Sequence, residues 1–129
     1  MNNRKWNCHN EYQNQKQYKR VLCVCSAGLL RSPTMALVLS QKPFNYNTRA
    51  AGLDLDHALI PVDEVLLEWA DMIVCATNEQ CETIKKQTDK PSFTLHIPDD
   101  YSYRDPRLIA FIKKKMIDIM DIRAIRKTK

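Results

Sequence analysis

No stretch of the 129 residues is apolar for long enough to cross a membrane, and the first residues carry no apolar run of the kind that opens a secretory leader. A membrane partner is therefore not expected. The five cysteines are odd in number and fall into no disulfide framework, which suits a reducing compartment, the cytoplasm. Cys8-His9, Cys75 and Cys81 lack the paired spacing of a zinc site, so no metal or other cofactor is expected. His57 and His96 have no partner at a useful spacing in the sequence, which assigns both to structural or solvent-facing roles. Glycine is scarce: the chain has two, Gly28 and Gly52.

What is present suits one domain with a single buried core. Residues 1–19 are rich in Asn, Gln, Lys and Tyr and have little to bury, so they read as a polar, flexible extension ahead of a domain over 20–129. The net charge of +5 owes much to that extension and to Arg123, Arg126, Lys127 and Lys129. Lys113-Lys114-Lys115 raises the question of nucleic acid. Such runs are more often the solvated side of an amphipathic helix, here with Leu108, Ile112, Met116, Ile119 and Met120 on the buried side, and nucleic acid is not the expected partner. A basic rim would instead draw anionic phosphoproteins. The sequence does not fix an oligomeric state.

The segment Val21 to Thr34, VLCVCSAGLLRSPT, carries the chemistry. Cys25 and Arg31 stand six positions apart, a spacing that roughly one chain in three of this composition would show by chance. Its surroundings make it specific. Residues 20–25 read as a short buried strand. Ser32 suits a helix N-cap and Pro33 a first helical position, and an apolar helix follows. The residues between form a strand–loop–helix turn, where backbone N–H groups and the positive helix end bind anions. A free thiol is mostly protonated at neutral pH, and a helix N-terminus with a neighbouring guanidinium favours the thiolate. Arg31 can hold two phosphate oxygens with its planar fork, which Lys could not do. Gly28 supplies the positive φ that turns successive N–H groups to one point. The Ser32 hydroxyl either caps the helix or donates to the thiolate.

The loop Cys25-Ser26-Ala27-Gly28-Leu29-Leu30-Arg31-Ser32-Pro33 resembles the phosphate loop of the low-molecular-weight protein tyrosine phosphatases, in particular a short bacterial and phage branch of that superfamily. Arg49-Ala50-Ala51-Gly52-Leu53, Glu68-Trp69-Ala70-Asp71 and Ile97-Pro98-Asp99-Asp100-Tyr101 follow in the family's order, so the resemblance spans residues 20 to 115. It implies a three-layer α/β sandwich with a four-stranded parallel sheet, helices on both faces, and a phosphate loop between strand 1 and helix 1. It also implies catalysis through a cysteinyl phosphate, with Cys25 as nucleophile and Arg31 on the phosphoryl oxygens. Ser26, Ala27, Gly28, Leu29, Leu30 and Ser32 would bind phosphate.

The pattern of apolar residues leads to the same fold. Strands are expected at 20–25, 46–51, 71–76 and 92–97. Helices are expected at 33–41 closed by Pro43, from Pro61 through Trp69 with Val62, Val65, Leu66 and Trp69 on one face, from Asn78 as N-cap to about 88, and from Asp105-Pro106 onward. Alternating strands and helices favour parallel βαβ units, whose ligands bind beyond the carboxyl ends of the strands.

Two departures from the family stand out. Gly28 replaces an Asn common in relatives, which keeps the left-handed turn but removes bracing hydrogen bonds. Leu30 replaces the second loop cysteine of several relatives, so no disulfide can form within the loop. Cys23 points the same way as Cys25 and reads as core packing.

The leaving oxygen needs a proton. By position relative to the last strand, Asp99 is the first candidate and Asp100 the second. By its Asp-Pro dipeptide Asp105 is a third, although that pair equally makes a helix cap and first helical residue. Tyr101 and Tyr103 would wall the substrate pocket, or stand as surface tyrosines in a turn. The expected function is hydrolysis of a phosphomonoester, with a phosphotyrosine protein or small aryl phosphate as substrate. An arsenate-reductase-like enzyme is the first alternative, and it would need Cys75 or Cys81 as resolving thiols. A non-catalytic phosphate-loop binding or regulatory module is the second.

Overall fold

The computed structural model describes residues 19–25, 31–42, 44–54, 58, 60–98 and 105–127, the last seven of these by their backbone alone. Among the described residues four strands alternate with four helices: β1 (Arg20–Cys25), α1 (Arg31–Leu39), β2 (Asn47–Gly52), α2 (Glu64–Trp69), β3 (Met72–Cys75), α3 (Asn78–Lys85), β4 (Ser92–Thr94) and α4 (Pro106–Lys127). The strands form one all-parallel sheet in the order β2-β1-β3-β4. β1 is central, and Val21 to Val24 have no exposed surface. That burial on both sides is why the strand reads as an unbroken apolar run and not as an alternation.

The alternation appears instead in which face each residue covers. Val21, Cys23 and Cys25 pack with Met35, Ala36, Val38 and Leu39 of α1 and with Leu108, Ile112 and Met116 of α4. Leu22 and Val24 pack on the other face with Leu66 and Leu67 of α2 and Cys81 and Ile84 of α3. The chain thus forms three layers. The connection from β1 to β2 runs in the opposite direction to those leading to β3 and β4. If all three share one hand, their helices must lie on opposite faces, and they do. The reversal of direction beside β1 opens a crevice at the carboxyl end of that strand.

Several boundaries differ from the sequence expectation, each for a local reason. α2 begins at Glu64, not Pro61, because the Asp63 carboxylate accepts from Leu66 N–H at 2.8 Å. Pro61 sits in a bridge to Gly52. The later start turns Val65 outward at 56% exposure and buries Leu66 and Leu67. α3 is capped by Thr77 and not Asn78: the Thr77 hydroxyl accepts from Gln80 N–H while the Gln80 side chain accepts from Thr77 N–H. Asp71 stands before β3, where its carboxylate pairs with Arg20 at 3.2 Å. On α4, Leu108, Ile112 and Met116 are buried as expected, while Met120 is 39% exposed.

β4 ends at Thr94, three residues earlier than expected. Leu95 N–H donates to Cys75 O at 2.9 Å, but Ile97 N–H donates to Ala76 O at 2.8 Å. Two residues of one chain therefore advance against one of the other, which is the signature of a β-bulge. His96 is the extra residue, exposed, with φ at 55°.

Among the described residues no helix is long and apolar enough to cross a membrane, and no three His, Cys, Asp or Glu side chains gather closely enough to hold a metal ion.

Candidate functional site

Cys25 is the last residue of β1 and is 3% exposed. It faces the α1 side of the sheet, as does Cys23 two residues earlier. Its backbone is held by the neighbouring strand's exit, since Leu53 N–H donates to Cys25 O at 3.0 Å. Burial pushes the Cys23 thiol well above the ordinary range, with Cys25 alongside as a second contribution. Cys23 is therefore a neutral packing group, as the sequence suggests.

The sequence leaves two roles open for the Ser32 hydroxyl, a helix cap or a partner of the Cys25 sulfur. α1 begins at Arg31, two residues earlier than Pro33, so Ser32 lies inside the first turn with no exposed surface. Its Oγ lies 3.1 Å from Cys25 Sγ in a buried hydrogen bond. With the sulfur charged, the hydroxyl is the donor and the thiolate the acceptor. No acidic residue stands in the first turn of α1, so its partial positive end is left to act on an anion.

Arg31 opens α1, and its Nη1 donates to Ile97 O at 3.2 Å. The His96 bulge makes this possible. An unbroken ladder would carry Ile97 one residue further along β3, whereas the bulge holds it opposite Ala76. The irregular end of β4 thus orients a guanidinium 66 residues earlier in the chain.

Beside Arg31 opens a cavity of about 700 Å³. Ile97 lies on one wall, Leu53 and Asp54 on a second, and Thr77, Glu79 and Gln80 on a third. These wall residues are separated along the chain, and Asp54 and Glu79 carry no motif, so sequence reasoning does not bring them together. The topology supplies the missing signal: they follow the carboxyl ends of β4, β2 and β3.

Asp105 has a local structural role. Its carboxylate accepts from Arg107 N–H at 2.9 Å and pairs with the Arg107 guanidinium at 2.9 Å. Those bonds hold its pKa below the usual carboxylate range. Cys75 and Cys81 lie together on the α2–α3 side of the sheet, opposite to Cys25. Burial, and then the neighbouring Cys81, push the Cys75 thiol up.

Of the remaining expected site residues, Ser26, Ala27, Gly28, Leu29 and Leu30 lie outside the described residues, as do Asp99, Asp100, Tyr101 and Tyr103. So do His57, Pro43 and the extension up to residue 18. Two of the segments behind the resemblance do meet in space, with the Arg49 guanidinium 4.3 Å from the centre of the Trp69 ring.

No protein-family model and no curated protein matches the chain. Its structure is similar to the crystal structure of a YwlE mutant from Bacillus subtilis, at 21% sequence identity, over 87% of this chain and 100% of that one, with a TM-score of 0.49. A likeness of that size says nothing about chemistry.

Proposed function

We propose that this chain is a phosphomonoester hydrolase of the low-molecular-weight tyrosine phosphatase kind, acting on phosphotyrosine in proteins or on small aryl phosphates. The observation that carries this reading is the buried Cys25–Ser32 contact at the start of α1, next to a guanidinium anchored on Ile97. Cys25 attacks phosphorus along the line of the leaving oxygen. An S–P bond forms, the P–O bond to the leaving group breaks, and a carboxyl group gives that oxygen its proton. Arg31 stabilises the charge on the phosphoryl oxygens during transfer. Ser32 steadies the sulfur when it attacks and when it leaves. Water, deprotonated by the same carboxylate, then cleaves the S–P bond to release inorganic phosphate and restore the thiolate.

The carboxyl is Asp99, with Asp100 as the alternative. A proton donor must hold its proton near neutral pH, and the bonds from Arg107 draw Asp105 the other way. The arsenate-reductase reading is disfavoured by the placement of Cys75 and Cys81, since a resolving thiol must reach the oxidised nucleophile and both lie across the sheet from Cys25.

Hydrolysis of p-nitrophenyl phosphate is the test. The wild-type protein should turn it over and Cys25→Ser should not, while retaining phosphate binding. Undiminished turnover by Cys25→Ser overturns the mechanism. A silent wild-type protein that still binds phosphopeptides selects the binding-module reading. Reduction of arsenate with thioredoxin selects the reductase.

A further inference from the structure

The cavity beside Arg31 is far larger than a phosphoryl group and lies in the range of pockets that enclose whole small ligands. Its walls must therefore meet the groups that carry the phosphate. Net charge alone suggests a basic rim drawing acidic phosphoproteins. Among the described residues, the charged groups on its walls apart from Arg31 are both acidic, Asp54 and Glu79.

Both stand just after strands of the sheet, Asp54 after β2 and Glu79 after β3. Asp54 follows Leu53, whose N–H donates to Cys25 O at 3.0 Å. Glu79 lies in the first turn of α3, between the two members of the Thr77–Gln80 capping box, which fixes that turn at the exit of β3. Two acidic side chains beside one phosphate-gripping arginine would repel a substrate that carries further negative charge near its phosphate, and attract one that carries positive charge there.

We infer that Asp54 and Glu79 select phosphotyrosine flanked by lysine or arginine, so that basic phosphopeptides are the preferred substrates of this site. The inference rests on the phosphatase reading. Arg31 takes the phosphoryl oxygens, and the flanking cations of the peptide face the two carboxylates at the mouth. Neither carboxylate takes part in the chemical step. Both act on kcat/KM through capture of the peptide.

The test compares two phosphotyrosine peptides that differ only in having Lys or Glu on both sides of the phosphorylated residue, together with p-nitrophenyl phosphate. At low salt, kcat/KM for the Lys peptide should exceed that for the Glu peptide by roughly three- to tenfold, the size expected from two charges at the edge of a solvated site. In 1 M salt, where screening acts within about 3 Å, the ratio should fall toward one. The double variant Asp54→Asn, Glu79→Gln should also bring the ratio toward one and lower KM for p-nitrophenyl phosphate, a small anion that the carboxylates repel. The salt series uses the unaltered protein, so it holds even if the variant folds poorly. Equal rates on the two peptides, a preference for the Glu peptide, or a ratio indifferent to salt overturns this inference alone. A wild-type protein that hydrolyses none of the three substrates overturns the phosphatase reading and this inference with it.

Discussion

The hydroxyl of Ser32 lies 3.1 Å from the sulfur of Cys25, joining the last residue of β1 to the first turn of α1 in a fully buried contact. A hydrogen bond to a charged sulfur is worth about 1.5–3 kcal/mol, more than one between neutral groups. Ser32→Ala should therefore lower kcat for p-nitrophenyl phosphate by roughly tenfold to a hundredfold, with a smaller effect on KM. Steady-state kinetics check this. An unchanged kcat would mean that the contact only fills space.

The two cysteines of β1 should separate cleanly. Cys23 is fully buried and its thiol is held neutral. Cys23→Ala should keep phosphatase turnover while costing about 1–2 kcal/mol of stability for the small cavity left behind. Urea unfolding and a turnover assay on the same preparation read both effects. Loss of turnover in a stably folded Cys23→Ala protein would give Cys23 a part in the chemistry.

Leaving-group dependence should identify the acid. Asp105→Asn should leave the ratio of rates on aryl phosphates with good and poor leaving groups unchanged, because Asp105 serves Arg107 and the start of α4. Asp99→Ala should slow poor leaving groups by about 10²–10⁴-fold and good ones much less. If Asp100→Ala shows that pattern, the acid is the neighbouring residue. If Asp105→Asn shows it, the pairing with Arg107 must open during turnover.

The Arg20–Asp71 pair fixes a pH dependence of stability. Hydrogen bonds from Arg20 draw the Asp71 pKa below its ordinary range. A carboxylate whose folded pKa is depressed adds stability above its unfolded pKa, about 3.9, and loses that stability as pH falls through the folded value. Asp71→Asn should therefore be less stable than wild type at pH 7, and this difference should shrink at pH 3. Both partners are more than a third exposed, so the difference should be small, about 0.2–1 kcal/mol. Urea unfolding at the two pH values measures it, and a gap that widens in acid would contradict the sign.

The architecture was legible because parallel strands covered on both faces leave continuous apolar runs, such as Val21 to Val24, between helical segments. Helix starts were less legible. Pro61 resembles a first helical residue, yet the Asp63 carboxylate caps the helix two positions later. The start of α3 could have been found, since Thr77 and Gln80 have the spacing of a capping box and Asn78 does not. The bulge at His96 left no such trace, because nothing in a lone exposed histidine announces a left-handed backbone. The cavity walls were hidden for a different reason: Asp54, Glu79 and Ile97 meet Arg31 only through the sheet's strand order. The sequence marked Cys25 and Arg31 as candidates, and the fold supplied what surrounds them.

If the proposed mechanism holds, Cys25 becomes phosphorylated during turnover. Rapid acid quench of the protein with p-nitrophenyl phosphate, followed by mass spectrometry of its peptides, tests this directly. One added phosphoryl group is expected on the peptide containing Cys25 in wild type, and none there in Cys25→Ser. Sustained turnover by wild type with no phosphoryl group on Cys25 at any quench time, or with the group on another residue, would contradict it.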